Sequence, residues 1–158
     1  MFDKVFISYS FKDKVFARKL NEGLRLRGVS TFLWENDAPG GKPLKKIMSE
    51  NIQRYDTLLF IASENSIKSV ACQYELTEGR KKQDVLWKTI YFPIHIDDFL
   101  FNVQKDDIRP RLMQEEFWMN IEEPKAINST DFTSFNCTDI DEKLFQESIN
   151  KLVKDLKK

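Results

Sequence analysis

The chain is poor in the residues that most cofactor and metal chemistries need. Of its 158 residues only two are cysteine, Cys72 and Cys137, and one is histidine, His95. Two thiols make neither a disulfide framework nor a zinc site, so no metal is expected, and a reducing, cytoplasmic setting is. Neither sign of charge is in excess: 25 Lys and Arg balance 25 Asp and Glu, for a net charge of zero. Nucleic acid or an acidic membrane held by bulk electrostatics is therefore not an expected partner. Long apolar runs are missing too. "LLFIA" is far shorter than the roughly 20 residues a membrane-spanning helix needs, and "MFDKVF" carries charges where a secretory leader has its apolar segment. G-x-G-x-x-G does not occur, and Gly40-Gly41-Lys42 lacks the spacing of a phosphate-binding P-loop.

What is present is an alternation of two periods. "KVFISYS" (4–10), "VSTFLW" (29–34), "DTLLFIAS" (56–63) and "TIYFPIHI" (89–96) contain the near-continuous apolar runs of strands covered on both faces. Pro93 counts against a central, fully paired place for the fourth of these. "DFTSF" (131–135) supplies a short fifth strand. Between them, Phe16, Leu20 and Leu24 make a helical stripe that Gly28 ends. Leu44, Ile47, Met48 and Ile52 make a second stripe, and residues 69–83 a third helix, with Ser66 and Ser69 as alternative caps. Phe145, Ile149, Leu152 and Leu156 form a terminal amphipathic helix. Residues 35–43, with Pro39, Gly40, Gly41 and Pro43, read as a loop. Residues 97–130 show no clean period.

Such alternation predicts one α/β domain over residues 1–158: a flavodoxin-like open sheet of about five mostly parallel strands, with helices on both faces. Ligands of such sheets bind beyond the carboxyl ends of the strands, at the switch point of the strand order. Those ends are residues 9–12, 33–37 and 63–66, and Glu75 follows the third by a dozen positions, on a helix site expected to be partly exposed. A phospho-accepting receiver domain is excluded because no carboxylate ends the third strand. "SYSFKD" is not a flavin-phosphate loop. Cys72 with His95 could form a thiol and base, but a buried structural cysteine and a strand histidine is the simpler reading.

Three segments, in order, carry a resemblance: "KVFISYSFKD", "STFLWENDAPGGKPL" and "TLLFIASENSIKSVACQYEL". The chain resembles a TIR domain of the bacterial kind over essentially its whole length, with residues 35–43 as the family's BB loop. TIR domains either act as scaffolds through TIR–TIR association or cleave NAD at the nicotinamide–ribose bond. For the enzymes the resemblance implies a catalytic glutamate on the third helix, here Glu75, with Ser69, Cys72 and Leu76 matching around it. It implies NAD+ as substrate with no separate cofactor. It also implies self-association that includes the 35–43 loop, and a part in bacterial antiviral defence or toxin signalling. Ser10 and Phe11 after the first strand, Trp34 and Asp37 at the start of the loop, and Cys72 are the expected substrate contacts. Ser10 and Phe11 could instead only cap the next helix, and Asp37 could bond a backbone turn as readily as a ribose. Ala71 departs from the family, since many members carry a Trp four residues before the glutamate to hold the nucleotide; Trp34 is the candidate replacement. The alternative to the enzyme is a non-catalytic scaffold, for which Glu75 has no use.

Overall fold

The computed structural model describes residues 4–34, 46, 50, 54–86 and 88–157. Five strands, β1 (Val5–Ser8), β2 (Thr31–Leu33), β3 (Thr57–Ala62), β4 (Tyr91–His95) and β5 (Thr130–Asp131), form one parallel sheet in the order β2-β1-β3-β4-β5. The helices are α1 (Lys14–Leu26), α2 (Glu64–Ile67), α3 (Val70–Leu86), α4 (Phe99–Asn102), α5 (Gln114–Lys125) and α6 (Glu142–Lys157). The fold is the expected flavodoxin-like α/β sheet, and its order reverses direction at β1 and β3.

Successive strand residues point to opposite faces, and the two faces hold separate cores. Val5 and Ile7 of β1, and Leu59 and Ile61 of β3, pack with Leu20 and Leu24 of α1 and with Phe145, Ile149 and Leu152 of α6. Phe6, Leu58, Phe60 and Ala62 point the other way and pack with Leu76 of α3 and with Phe117 and Ile121 of α5. α1 ends where Gly28 takes φ 80°. The Val29 N–H bonds the Leu24 carbonyl and the Gly28 N–H that of Arg25, the two bonds of a Schellman stop. Gly79 serves close approach instead: a Cβ there would lie 2.8 Å from Leu58 Cδ2 and 2.9 Å from Tyr91 Cε1.

Three local expectations change. β4 is an interior strand despite Pro93. The Ile96 N–H and the Ile90 carbonyl bond β3, while the His95 carbonyl accepts from Phe132 on the β5 side. By the alternation of a parallel ladder the Pro93 nitrogen faces β5, whose pairing covers only Ile94 and His95. The missing N–H thus falls where no partner lies opposite. The fifth strand is Thr130–Asp131, not 131–135, because Thr133–Phe135 turns into a 3-10 helix under an Asp131 carboxylate that accepts from the Thr133 N–H and hydroxyl. The helix expected from Ser69 is preceded by a separate turn, α2. Ser63 caps α2 in a reciprocal box with Ser66, and Ser69 accepts from the Cys72 N–H at the start of α3.

Residues 97–130 are ordered into α4, two 3-10 turns and α5. Their period is masked because α5 turns a polar residue, Asn120, into the interior beside Phe117 and Ile121. Its amide donates to the Gln73 carbonyl and side chain and to Thr77, and it accepts from Arg80 Nε. The 35–43 loop lies outside the described residues, as does the 44–55 helix apart from Lys46, Glu50, Arg54 and Tyr55.

Candidate active site

The switch point of the sheet carries a cavity of about 770 Å³, within the common range for small-molecule sites. Tyr9, Ser10, Phe11 and Lys12 line it from the turn after β1, and Trp34 from the end of β2. Glu64, Asn65 and Lys68 line it from the segment after β3, and Ser69, Ala71 and Glu75 from the start of α3.

Glu75 is not the partly exposed helix residue expected. It is 6% exposed, because α3 lies flat on the sheet and turns positions 72, 75, 76 and 79 inward. β1 supplies its partner: Ser8 shares the face of Phe6, two residues on, and its hydroxyl donates to Glu75 Oε1 at 2.8 Å. Burial pushes the Glu75 carboxyl up to about 8, against a smaller opposing effect of the Ser8 hydrogen bond. Without an opposing positive charge the carboxyl is therefore largely protonated at neutral pH.

Ser10, Phe11 and Trp34 all face the cavity as expected. Ser10 also caps the 3-10 turn, accepting from the Lys12 N–H at 3.2 Å, so it lines the cavity and caps the turn at once. Phe11 is 65% exposed at the mouth, with Lys14 Nζ 4.4 Å from its ring centre. Trp34 is half-buried, held edge-on by Phe32 at 6.2 Å, and Phe32 stacks on Phe6 at 5.1 Å. A row of aromatic rings thus runs from the core to the cavity wall. Asp37 lies outside the described residues. Cys72, expected to touch substrate, is absent from the described cavity wall and 1% exposed. Its place on α3 turns it toward the sheet, beside Ser8 and Ser69. Burial, and next to it the Glu75 charge, push its thiol up, which keeps it neutral and unlike a reactive thiolate. His95 is not its base. That ring meets Ser129 Oγ at 2.9 Å and Asp131 at 3.7 Å, where β4 and β5 end.

Two residues escaped the sequence reading. Ser8 is one; its signal is a hydroxyl inside a strand buried on both faces, where a polar group needs a partner. Asp13 is the other. Buried behind the cavity, it accepts from the Ser63 hydroxyl and, at 2.9 Å, from the Asn65 amide. It ties the turn after β1 to the segment after β3, the two walls of the cavity. Ser63, at the end of β3, both donates to Asp13 and caps α2. Among the described residues no group of three or more metal-ligating side chains converges, and no helix is long and apolar enough to cross a membrane.

The same fold occurs in solved structures. The TIR domains of the activated Roq1 resistosome directly recognizing the pathogen effector XopQ match with a TM-score of 0.76 and 19% identity, covering 98% of this chain and 99% of that one. The TIR domain of the Toll-related Receptor TRR-2 from the lower metazoan Hydra magnipapillata matches with a TM-score of 0.61 and 15% identity over 100% of both chains. A metazoan TIR-STING receptor from C. gigas matches at 0.50 and 18%, over 75% of this chain and 39% of that one. No curated protein sequence matches. At these identities the likeness speaks for the fold alone. The family assignment comes from the sequence: residues 5–145, from the start of β1 into α6, match the TIR domain family, and the chain belongs to it.

Proposed function

We propose that this TIR domain hydrolyses or cyclises NAD+ at the nicotinamide–ribose bond, with Glu75 as the catalytic carboxylate. The observation that carries this reading is a single buried carboxyl on the wall of a cavity at the sheet's switch point, one oxygen held by Ser8. One carboxylate suffices for such chemistry. The bond from ribose C1′ to the nicotinamide nitrogen breaks with its electron pair on that nitrogen, which departs neutral and needs no general acid. Positive charge passes to the ribose. An ionised carboxylate beside it stabilises that charge in a cavity where water screens little, an effect worth about 3–4 kcal/mol for comparable groups. Water then adds to C1′ and gives a proton to Glu75 or to solvent, or another atom of the nucleotide closes a ring.

The raised pKa fits this role. A carboxyl that titrates at about 8 is drawn into its ionised form by the positively charged nicotinamide ring of the substrate. Phe11 and Trp34 offer ring faces and edges to the nucleotide, and Lys12 and Lys68 offer positive charge to its phosphates. No cofactor besides the substrate enters the scheme. Self-association through the 35–43 loop, and a role in defence or toxin signalling, belong to the same proposal.

The test is nicotinamide release from NAD+ by the purified protein and by Glu75→Gln, over a range of pH and protein concentration. Release by the parent should exceed that of the variant by about 10²-fold or more. Its kcat/KM should rise with pH and level off above about 8, since the ionised form does the work. Rate should rise more than linearly with concentration. Equal, measurable cleavage by both proteins removes Glu75 from the mechanism. Cleavage by neither, with self-association intact, leaves a scaffold.

A further inference from the structure

Among the described residues Glu75 has one side-chain partner: Ser8 Oγ donates to Oε1, no other side-chain hydrogen bond reaches the carboxyl, and no buried side-chain oxygen is left unpaired. Oε2 is therefore the oxygen that reaches the cavity. Ser8 is itself fully buried and does not line the cavity. Its hydroxyl proton is committed to Glu75. A hydroxyl that donates to Oε1 bonds an ionised carboxyl more strongly than a protonated one. It favours the carboxylate.

We propose that Ser8 is a positioning residue of the site: buried out of reach of substrate, it points Oε2 of Glu75 into the cavity and holds the carboxyl ready to ionise. This rests on the NAD-cleaving reading for its kinetic consequence, but not for its effect on Glu75. The other charges around the cavity do not offer the same service. Lys12 stands on the turn after β1, Asp13 is engaged with Ser63 and Asn65, and Glu64 and Lys68 pair with each other at 3.2 Å. The shift of Glu75 has only two causes, burial and the Ser8 bond. Deleting the hydroxyl leaves burial unopposed.

The deciding experiment compares the parent with Ser8→Ala, a change that adds no atom to the core, and uses two readouts. The first follows the Glu75 carboxyl by 13C NMR of glutamate-labelled protein across pH, with Glu75→Gln identifying the signal. In Ser8→Ala the midpoint should move up by about one to two pH units, the size expected for a hydrogen bond to a charged group. The second is the pH profile of nicotinamide release. The rise in kcat/KM should shift by the same amount, a roughly 10–100-fold loss at pH 7 that recovers at alkaline pH, with KM little changed. Ser8→Thr, which restores a hydroxyl, should return the midpoint toward the parent. An unmoved carboxyl midpoint overturns the proposal. So does an equal loss of rate at every pH, which marks a structural lesion. A shifted midpoint with no cleavage by either protein upholds the Ser8–Glu75 link and overturns the cleavage reading.

Discussion

The two faces of the sheet are built on different terms. The α1–α6 face is mostly apolar in its interior, with Leu20, Leu24, Phe132, Phe145, Ile149 and Leu152 all fully buried, and its buried polar pair, Asn21 and Thr31, is bonded to itself. The α3–α5 face has an apolar floor but also buries Gln73, Glu75, Thr77, Lys82 and Asn120. Each of these has a hydrogen-bond partner within the structure, Glu75 through Ser8. Gln73 bonds the Ile67 carbonyl, Lys82 bonds the Tyr55 carbonyl, and Asn120 ties α5 to α3. Glu75 alone is both buried and open to a cavity. The first face holds the sheet together, while the second gives up some apolar packing to fix one carboxyl.

The sharpest way to break that contrast is to damage the apolar face alone. Phe145→Ala should cost about 3–5 kcal/mol of stability, since the ring is fully buried between Phe132 and Phe135 and its loss leaves a void. Denaturant unfolding checks it. The rate of NAD+ cleavage per folded molecule should stay as it was; a large drop in that rate would show that the two faces are not independent.

A smaller effect, with the opposite sign, belongs to Glu75. Its folded pKa of about 8 lies above the ordinary 4.5. Below pH 4.5 the group is protonated in both states, so burial costs nothing by ionisation. As pH rises from 4.5 the unfolded state ionises while the folded state does not, and stability falls by about 1.4 kcal/mol per pH unit until the folded group ionises near 8. Glu75→Gln keeps the Ser8 bond and escapes this loss. Thermal or denaturant unfolding should show the variant more stable by about 3 kcal/mol at pH 7 and nearly equal to the parent at pH 4.5. A variant less stable at both pH values would make Glu75 a structural residue.

Smallest is the effect of the family's missing tryptophan. Ala71 is exposed on the cavity wall, four residues before Glu75, so an indole there enters the cavity rather than the core. Ala71→Trp should tighten NAD+ binding by about 1–3 kcal/mol, the worth of a base stacked on an aromatic ring in nucleic-acid binders. Isothermal titration in a Glu75→Gln background checks it without turnover. Unchanged or weaker binding would show that Trp34 and Phe11 already hold the nucleotide in a way an added ring obstructs.

Most of the apolar face could be read directly. The spacing of Phe16, Leu20 and Leu24, and of Phe145, Ile149 and Leu152, is enough to define α1 and α6, because a helix whose buried stripe is unbroken by a polar residue shows its period. Strand runs, the parallel sheet and the three strand ends that border the site follow from the same patterns. α5 and its preceding turns were not legible, because Asn120 occupies an interior position and interrupts the period. Glu75, Ser10, Phe11 and Trp34 were placed at the site by motif and strand end, and the cavity brings them together.

Period and motif are local, so they fixed which elements form and which glutamate to watch. They could not say that Glu75 is buried, that Ser8 is its partner from 67 positions away, or that Cys72 stands behind the site instead of in it. Those facts arise when α3 is laid on β1 and β3, with Gly79 allowing the helix to come close enough for a strand hydroxyl to meet a helix carboxyl. Whether a glutamate is an ordinary solvated acid or one that titrates near 8 depends on the water removed from around it, and only packing removes water.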